Sequence, residues 1–418
     1  MTDTKYAAFV GLDWADQEHV IELKTPDGRR ETLRLQQDPA AIAEWVRTLT
    51  ARFGAGRIAV CLESSRGAIV AGLLEYENFV LFPVNPKQLA RFREAMYPSG
   101  AKNDPADAQL LAEFVQQHRD KLRPWVPNDE LTRQMDRCCR SRRKLVDERK
   151  RLVQRLRQLL KEYYPAALEM FGQTLQAPLA LDFLMRWPSL SKAQRAKSDY
   201  LKKFFHQHNC RSRDRIENRI RALRDAQPLT TDPAIVEPSV LMVQALVVQL
   251  RQLNKAIATF DAEIARLFAR QDNREVFASL PGAGAALAPR LLAALGSQKD
   301  RYESATEIQA QSGIAPVRKA SGQTQIIHRR YACPKFLRQT FHEFAGKSIL
   351  YSDWARAYYD LLRERGKRHN AALRALAFKW QRIILRMWKT GELYDEAKYQ
   401  QVLAKRNSPI AKKLVATT

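Results

Sequence analysis

An unbroken run of apolar residues at alternating steps of three and four most restricts how this chain can fold. The run consists of Val243, Leu246, Leu250, Leu253, Ile257, Phe260, Ile264 and Leu267. Residues at these steps form one narrow apolar stripe on an α-helix, which is buried by pairing with another helix. The sequence leaves two partners open: a helix of the same chain, or a second copy of the chain. We therefore predict a coiled coil and a homo-oligomer, a dimer or tetramer, assembled through it.

The same-chain partner would be a basic helix around 145–163. Its apolar positions, with spacings of seven, four and three, are Leu145, Leu152, Leu156, Leu159 and Tyr163. Residues 131–165 hold 12 basic and 4 acidic side chains, so the rest of this helix surface is strongly positive. Between the two helices, residues 178–238 are rich in Lys, Arg and aromatic residues, and we interpret them as an inserted basic subdomain or an ordered loop.

The first 120 residues instead alternate short apolar strands with helices. We predict strands over 6–12, 20–23, 31–35, 57–62 and 79–84, with helices over 39–51 and 67–76. Three neighbouring strands at the start indicate an antiparallel meander, and the alternation that follows indicates parallel strands. The predicted fold class is therefore α/β plus all-α: a mixed-sheet N-terminal domain, a long helical coiled-coil linker and a mostly helical C-terminal domain.

We place the domain boundaries where this periodicity changes. The predicted domains are an α/β domain over 1–125, a basic helical linker over 126–272 with the insertion at 178–238, and a C-terminal domain over 273–404. The C-terminal domain should contain a long amphipathic helix over 370–390, which Gly391 would end. Residues 405–418 are predicted to be a disordered tail.

Charge divides the chain in the same way. Residues 1–120 contain 14 basic and 17 acidic side chains, whereas the remainder contains 56 and 28. A positive excess spread over nearly 300 residues favours nucleic acid as the partner over a membrane surface.

The apolar runs are too short or interrupted for a membrane span, and the N-terminus lacks a secretory pattern. Five cysteines without a C-x-x-C pair indicate a reduced compartment, the cytoplasm.

Four carboxylates stand at the ends of predicted elements in the first domain. Asp13 and Glu63 each follow a strand, and Asp104 and Asp107 begin a helix, three residues apart and so on one face. An all-oxygen set suits Mg²⁺ or Mn²⁺, and two such ions can stabilise the attacking and leaving oxygens of phosphodiester cleavage. Singly, each acid is also explained as a turn residue, a surface acid or a helix cap.

These carboxylates lie in motifs that resemble a known family. Val10-Gly11-Leu12-Asp13, Cys61-Leu62-Glu63-Ser64-Ser65, Val84-Asn85-Pro86 and Lys102-Asn103-Asp104-Pro105-Ala106-Asp107-Ala108 resemble the RuvC-like, RNase H-fold domain of DEDD insertion-sequence transposases. That family includes the Piv-type invertases and the bridge-RNA-guided recombinases. The resemblance implies that Asp13, Glu63, Asp104 and Asp107 are metal ligands and catalytic residues. Lys102, in the last motif, is predicted to contact nucleic acid.

A serine in the last domain is the second candidate. Ser321 precedes Gly322 and stands among Arg318, Lys319, His328, Arg329 and Arg330, cations that suit a phosphodiester. Without the family, Ser-Gly in a basic loop is usually a turn. The C-terminal motifs Gly313-Ile314-Ala315-Pro316 and Ser321-Gly322 resemble the same transposases, which implies that Ser321 forms a covalent 5′-phosphoserine. Ser312, which also precedes a glycine, is the weaker candidate.

Two further features bear on nucleic-acid binding. The turn Pro281-Gly282-Ala283-Gly284 resembles a helix-hairpin-helix, so the amides of Gly282 and Gly284 are candidate phosphate donors. His328 is a candidate for proton transfer at Ser321, but a plain phosphate contact or a surface histidine explains it at least as well.

The predicted function is therefore that of an insertion-sequence DNA transposase. Its partners are donor and target DNA and, as the resemblance implies, a structured guide (bridge) RNA; its predicted location is the bacterial cytoplasm, at the nucleoid. Two alternatives stay open. One is a RuvC-like Holliday-junction or structure-specific endonuclease that uses only the carboxylates, and the other is a non-catalytic RNA- or DNA-binding protein.

Overall fold

The structure is a computed structural model that describes residues 6–63, 67–96, 104–322 and 324–415, with the backbone alone for Asp104. The chain divides into two compact units, one up to Pro127 and one from Asn128. Each is described by itself.

The N-terminal unit is built on a five-stranded mixed sheet. Its strands are β1 (Ala8–Asp13), β2 (Glu18–Lys24), β3 (Arg30–Gln36), β4 (Ile58–Leu62) and β5 (Phe79–Pro83). Their order is β3-β2-β1-β4-β5; the first three are antiparallel, and β1, β4 and β5 are parallel. The predicted antiparallel meander followed by parallel strands is confirmed.

Helices cover both faces of this sheet. They are α1 (Pro39–Phe53), α2 (Ala68–Leu73), α3 (Pro86–Met96) and α4 (Asp104–His118). Helices α1 and α2 bury Trp45 and Ile69 against one face, while α3 and α4 bury Leu89 and Leu110 against the other. The central strands are therefore apolar on both faces, as expected for buried parallel strands.

The second unit is mostly helical. It contains α5 (Glu130–Tyr163), α6 (Pro165–Phe171), α7 (Pro178–Arg186), α8 (Leu190–Arg195), α9 (Ser198–Gln207), α10 (Arg213–Asp225), α11 (Pro233–Ala269), α12 (Arg274–Ala278), α13 (Gly284–Leu295) and α14 (Ala305–Gln311). A hairpin of β6 (Val317–Ser321) and β7 (Thr324–His328) follows, and then α15 (Lys335–Ser348), α16 (Asp353–Glu364), α17 (His369–Thr390), α18 (Glu396–Lys405) and α19 (Pro409–Val415).

The coiled-coil seam finds its partner within the chain. Arg142 pairs with Asp261, and the Arg149 guanidinium donates to Asn254 Oδ1 over 3.0 Å, so α5 and α11 run antiparallel. The seam residues Val243, Leu246 and Leu250 are buried in one core with apolar residues of α5. The expectation that this seam joins two copies of the chain is therefore corrected, because its apolar side chains are already covered.

Among the described residues, α11 alone is long and apolar enough by length and composition to cross a membrane. The helix is paired along α5, and a buried core helix meets the same two criteria.

The segment predicted as an insertion, 178–238, is folded. Helices α7 to α10 and the first residues of α11 occupy it, and Phe183, Trp187 and Phe205 are buried in a core shared with the end of α5. Of the two interpretations left open, a helical subdomain describes the segment, because its aromatic residues are buried in this shared core.

The linker and the C-terminal domain were predicted to be separate, but they share one core. Met135 and Cys139 of α5 and Ile264 and Leu267 of α11 pack with residues from α12 through α19. A division near residue 272 would therefore cut through a continuous apolar cluster. Helix α17 ends at Gly391 in the left-handed conformation (φ 77°), as predicted.

The tail expected to be disordered from residue 405 forms α19 instead. Ile410 of this helix is 3 % exposed and belongs to the C-terminal core, and Lys413 pairs with Glu364 of α16. The prediction was wrong over 409–415, because an apolar residue was available to hold the helix in place.

Candidate active site

Two of the four carboxylates end neighbouring parallel strands. Asp13 is the last residue of β1 and Glu63 directly follows β4, and the two strands pair with Leu12 opposite Leu62. Because parallel strands end at the same edge of a sheet, Asp13 and Glu63 lie at one edge. Burial and the charge of Glu63 raise the pKa of the nearby Cys61 thiol, which is fully buried in β4.

Asp107 is brought to β1 by a close helix crossing. Gly11 of β1 has no side chain, and a Cβ there would overlap the Ala108 carbonyl oxygen and the Ala112 amide nitrogen of α4. The first turn of α4, with Asp107, is therefore held against β1. Asp107 is 6 % exposed as a residue, and its Oδ1 accepts from the guanidinium of Arg93 on α3.

The fourth carboxylate belongs to Asp104, the first residue of α4, and its side chain lies outside the described residues, as does all of Lys102. No three of the described His, Cys, Asp and Glu side chains are close enough to hold a metal ion together. Arg93, which pairs with Asp107, was not predicted, and nothing in its sequence context distinguishes it from other helix arginines.

Ser321 lies at the tip of an exposed hairpin. It is the last residue of β6 and pairs with Thr324, the first residue of β7. Gly322 turns the chain with a positive φ of 54°, a conformation that glycine adopts at no steric cost. Ser321, Gly322 and Thr324 are all exposed, so the serine hydroxyl is accessible to a large substrate.

Alternation along the hairpin distributes the predicted cations. Lys319 lies on the same face as Ser321, and Arg318 on the opposite face. His328 pairs with Val317, four residues from Ser321, which is about 13 Å along a strand. The expectation that His328 transfers a proton at Ser321 is therefore corrected within this hairpin: the imidazole lies at its base, where Arg329 and Arg330 follow.

The base of the hairpin is anchored on both sides. Gly313, in the Gly-Ile-Ala-Pro motif, has a φ of 70°, and a Cβ there would overlap the Cys333 sulfur that follows the hairpin. Ser312 is fully buried, and its hydroxyl oxygen accepts from Gln381 Nε2 over 2.7 Å. Ser312 is thus part of the core, which agrees with its being the weaker candidate nucleophile of the two serines.

The two candidate glycines differ. Gly282 (φ 76°) packs against the end of α15, where a Cβ would lie 2.8 Å from the Tyr351 ring. Gly284 begins α13, is exposed, and has open space around its Cα. Of these two glycines, only Gly284 leaves enough open space for an anion to approach its backbone.

Two family models match the chain. One, described as a transposase and named for the DEDD transposase of IS110, matches residues 10–165. The other, described as "Transposase IS116/IS110/IS902 family", matches residues 274–360. The first range contains all four carboxylates. The second contains the hairpin of β6 and β7 with Ser321 at its tip, which we call the serine hairpin.

Full-length relatives support the same grouping. The chain is 28 % identical over 403 residues to a candidate mini-circle transposase for IS117 of Streptomyces coelicolor, covering 95 % of this chain and 97 % of the relative. It is 24 % identical over 404 residues to an uncharacterized protein of insertion element IS110 of the same organism, covering 94 % and 97 %. It is 25 % identical over 401 residues to an uncharacterized protein of insertion element IS900 of Mycobacterium paratuberculosis, covering 93 % and 97 %.

Proposed function

The chain carries both domains of the IS110/IS116 family of transposases, and from this premise we propose that it cuts and rejoins DNA through a covalent phosphoserine intermediate. The exposed hydroxyl of Ser321, at the tip of a cationic hairpin, is the observation that carries the proposal. The DNA ends of an insertion sequence and its target site are the substrates.

The proposed step is a transesterification. Ser321 Oγ attacks the phosphorus of a DNA phosphodiester, an Oγ–P bond forms, and the bond from phosphorus to the 3′ oxygen breaks. The product is a 5′-phosphoserine and a free 3′ hydroxyl, which receives the proton lost by the serine. Lys319 shares the face of Ser321, and its ammonium would stabilise the charge that develops on the phosphate oxygens.

The carboxylate edge would hold Mg²⁺ or Mn²⁺ as part of a RuvC-like site. Asp13, Glu63 and Asp107, together with Asp104, are the proposed ligands, and their oxygen chemistry suits these ions. Bound there, a divalent ion would activate the scissile phosphate and stabilise the leaving oxygen. Arg93 donates to Oδ1 of Asp107, so this ion pair fixes the direction of the carboxylate.

The proposal also includes a structured guide RNA and assembly of several copies. The positive charge of residues 121–418 supports binding of RNA in addition to DNA. The apolar stripe of α11 is already packed against α5. Leu241 and Val248 of α11 are exposed and offer an apolar surface for a second copy of the chain. The proposed location is the bacterial cytoplasm, at the nucleoid.

A covalent trapping experiment tests the serine. The full chain is incubated with Mg²⁺ and DNA carrying insertion-sequence ends, and protein–DNA adducts are resolved on a denaturing gel. We expect Ser321→Ala to abolish the adduct, whereas Thr324→Ala, which removes the hydroxyl directly across the hairpin, keeps it. Adduct formation by Ser321→Ala at the parent level would contradict the proposal.

A hydrolytic junction endonuclease is the second candidate, and one observation favours it: the carboxylates lie in a compact unit without the serine. For this function, water replaces Ser321 as the nucleophile. Metal-dependent cleavage of junction DNA that survives in Ser321→Ala and is lost in Glu63→Gln would establish it in place of the transposase chemistry.

A further inference from the structure

Trp14, the residue after Asp13, differs from the other tryptophans of the chain. All seven tryptophans lie in the described ranges, and among them Trp14 alone is exposed, with 49 % of its surface open to solvent. In the C-terminal core the indoles of Trp354, Trp380 and Trp388 are buried, and each donates a hydrogen bond to another group of the protein. A large aromatic ring left in water forgoes the free energy of burial, which a ligand that covers the ring would recover.

The loop that carries Trp14 is tied to the neighbouring strands. The Ala15 amide donates to Nδ1 of His19 over 3.2 Å, and Nε2 of His19 lies 2.7 Å from Oε1 of Gln37, which directly follows β3. The Gln37 amide also donates to the Gln17 carbonyl oxygen over 2.7 Å. Because His19 is fully buried in β2, the loop has a fixed support in the sheet.

These contacts use both ring nitrogens of His19. An amide N–H can only donate, so Nδ1 is the acceptor, and Nε2 carries the hydrogen that it donates to Gln37 Oε1. The buried imidazole thus connects the end of β3 to the loop between β1 and β2. Trp14 is therefore presented on a backbone that is already held in place, which reduces the entropy lost when a ligand binds.

The charge of the first domain bears on what the Trp14 ring can contact. Residues 1–120 contain 14 basic and 17 acidic side chains, so this part of the chain does not attract a polyanion by its net charge. A DNA strand at the carboxylate edge therefore needs contacts that do not depend on positive charge. Stacking of a base on an aromatic ring is such a contact, and every base offers a face for it.

We propose that Trp14 stacks on an unpaired DNA base next to the phosphate held at the carboxylate edge. The Cα atoms of adjacent residues are about 3.8 Å apart, so a nucleotide whose phosphate reaches Asp13 has its base within reach of the Trp14 ring. The stacked ring fixes the position of the strand and keeps the base apart from its complement while the neighbouring phosphate reacts. The identity of the ligand as DNA rests on the proposed function.

Photochemical cross-linking tests the stacking contact. The Ser321→Ala chain is mixed with Mg²⁺ and a single-stranded DNA whose thymines are replaced by iodouracil, which couples on irradiation to an aromatic ring stacked on it. Tryptic peptides joined to DNA are then identified by mass spectrometry. We expect the peptide over 6–24 to carry the DNA, and fragmentation of this peptide to place the cross-link on Trp14.

Affinity measurements give the size of the contact. In the same Ser321→Ala background, Trp14→Ala should weaken binding of the single-stranded DNA about tenfold, whereas Trp14→Phe, which keeps an aromatic face, should weaken it about threefold or less. The slope of log affinity against log salt should stay the same in both variants, because no phosphate contact is removed. A lower slope in Trp14→Ala would overturn the assignment to stacking.

The matched control is Tyr200→Ala, which removes an exposed aromatic ring from α9. This variant should keep both the affinity and the cross-link at Trp14. A Trp14→Ala chain that binds as tightly as the control, or a cross-link that leaves the peptide over 6–24 unlabelled, would overturn the proposal. Labelling of Trp14 by an iodouracil-substituted RNA, with the DNA unlabelled, would overturn the assignment to DNA.

Thermal unfolding separates this contact from folding. Because Trp14 is exposed, Trp14→Ala should unfold at the temperature of the parent chain in calorimetry. If it unfolds at a lower temperature, the cross-link decides, because that experiment keeps Trp14 in place. The phosphoserine chemistry is tested separately by the covalent adduct of the parent chain, so either proposal can fail without the other.

Discussion

The carboxylate edge and the serine hairpin differ in how firmly the fold holds them. Asp13 and Glu63 end the central strands of a five-stranded sheet, and Asp107 lies on a helix in backbone contact with β1. Ser321 instead lies on two strands whose described residues are exposed from Arg318 to His328. In the proposed function, the metal ligands must keep a fixed geometry, whereas a nucleophile that carries a DNA strand has to accommodate its substrate. Only the base of the hairpin, and not its tip, is therefore fixed by the protein.

Gly11→Ala should have the largest effect on stability. The new methyl group would overlap backbone atoms of Ala108 and Ala112, which cannot move aside as a side chain can, so we expect a loss of at least about 3 kcal/mol. Urea unfolding of the full chain, with hydrogen exchange of the β1 amides, would measure it. Parent-like protection of β1 would show that the edge is less rigid than the contact implies.

Gly313→Ala tests the anchored base. It introduces a side chain at a φ of 70° and displaces Cys333, so we expect a loss of about 2 kcal/mol and a severalfold drop in covalent adduct. The displacement would alter the angle at which the hairpin leaves the core. Cys333→Ala is the control, because it removes the obstructing sulfur; in that background Gly313→Ala should cost less. Equal costs in both backgrounds would contradict the argument.

The two Ser-Gly pairs provide a third test. Ser312→Ala leaves Gln381 Nε2 buried without its acceptor and should destabilise the chain by about 1.5 kcal/mol. Ser321→Ala, at an exposed position, should leave the unfolding temperature unchanged. Calorimetry of both variants checks the prediction, which a destabilised Ser321→Ala would refute.

Gly322→Ala should have the smallest effect. The φ of 54° disfavours alanine, but no described atom outside the adjacent residues lies within 4 Å of the new methyl group, so we expect a loss of about 1 kcal/mol at most. The variant should form the adduct at nearly the parent rate in a single-turnover assay. A loss of more than about tenfold would mean that the tip is held as tightly as the sheet edge.

Local sequence patterns were sufficient for most of the secondary structure. The strands of the first unit, the helix α17 with its stop at Gly391, and the stripe from Val243 to Leu267 all follow from periodicity and end signals. The placement of Asp13 and Glu63 at one sheet edge also follows, because each comes after an apolar strand and β1 and β4 are parallel.

Features that depend on pairing distant segments could not be read in this way. The covered seam, the core that joins α5 to α17 and the folded α19 all require knowing which apolar faces meet. The same holds for the pairing of Arg93 with Asp107, because these two residues lie on different helices.

The antiparallel pairing of α5 and α11 has an evolutionary consequence. Because the chain leaves α5 and enters α11 at the same end of the pair, everything from α6 to α10 is inserted at that end, where Asp182 of α7 pairs with Arg251 of α11. Such a segment can be gained, lost or exchanged between lineages without altering the register of the helices that carry it. The ancestry of this subdomain can thus differ from that of the carboxylate edge and the serine hairpin, and its surface is free to diversify while both of them stay constant.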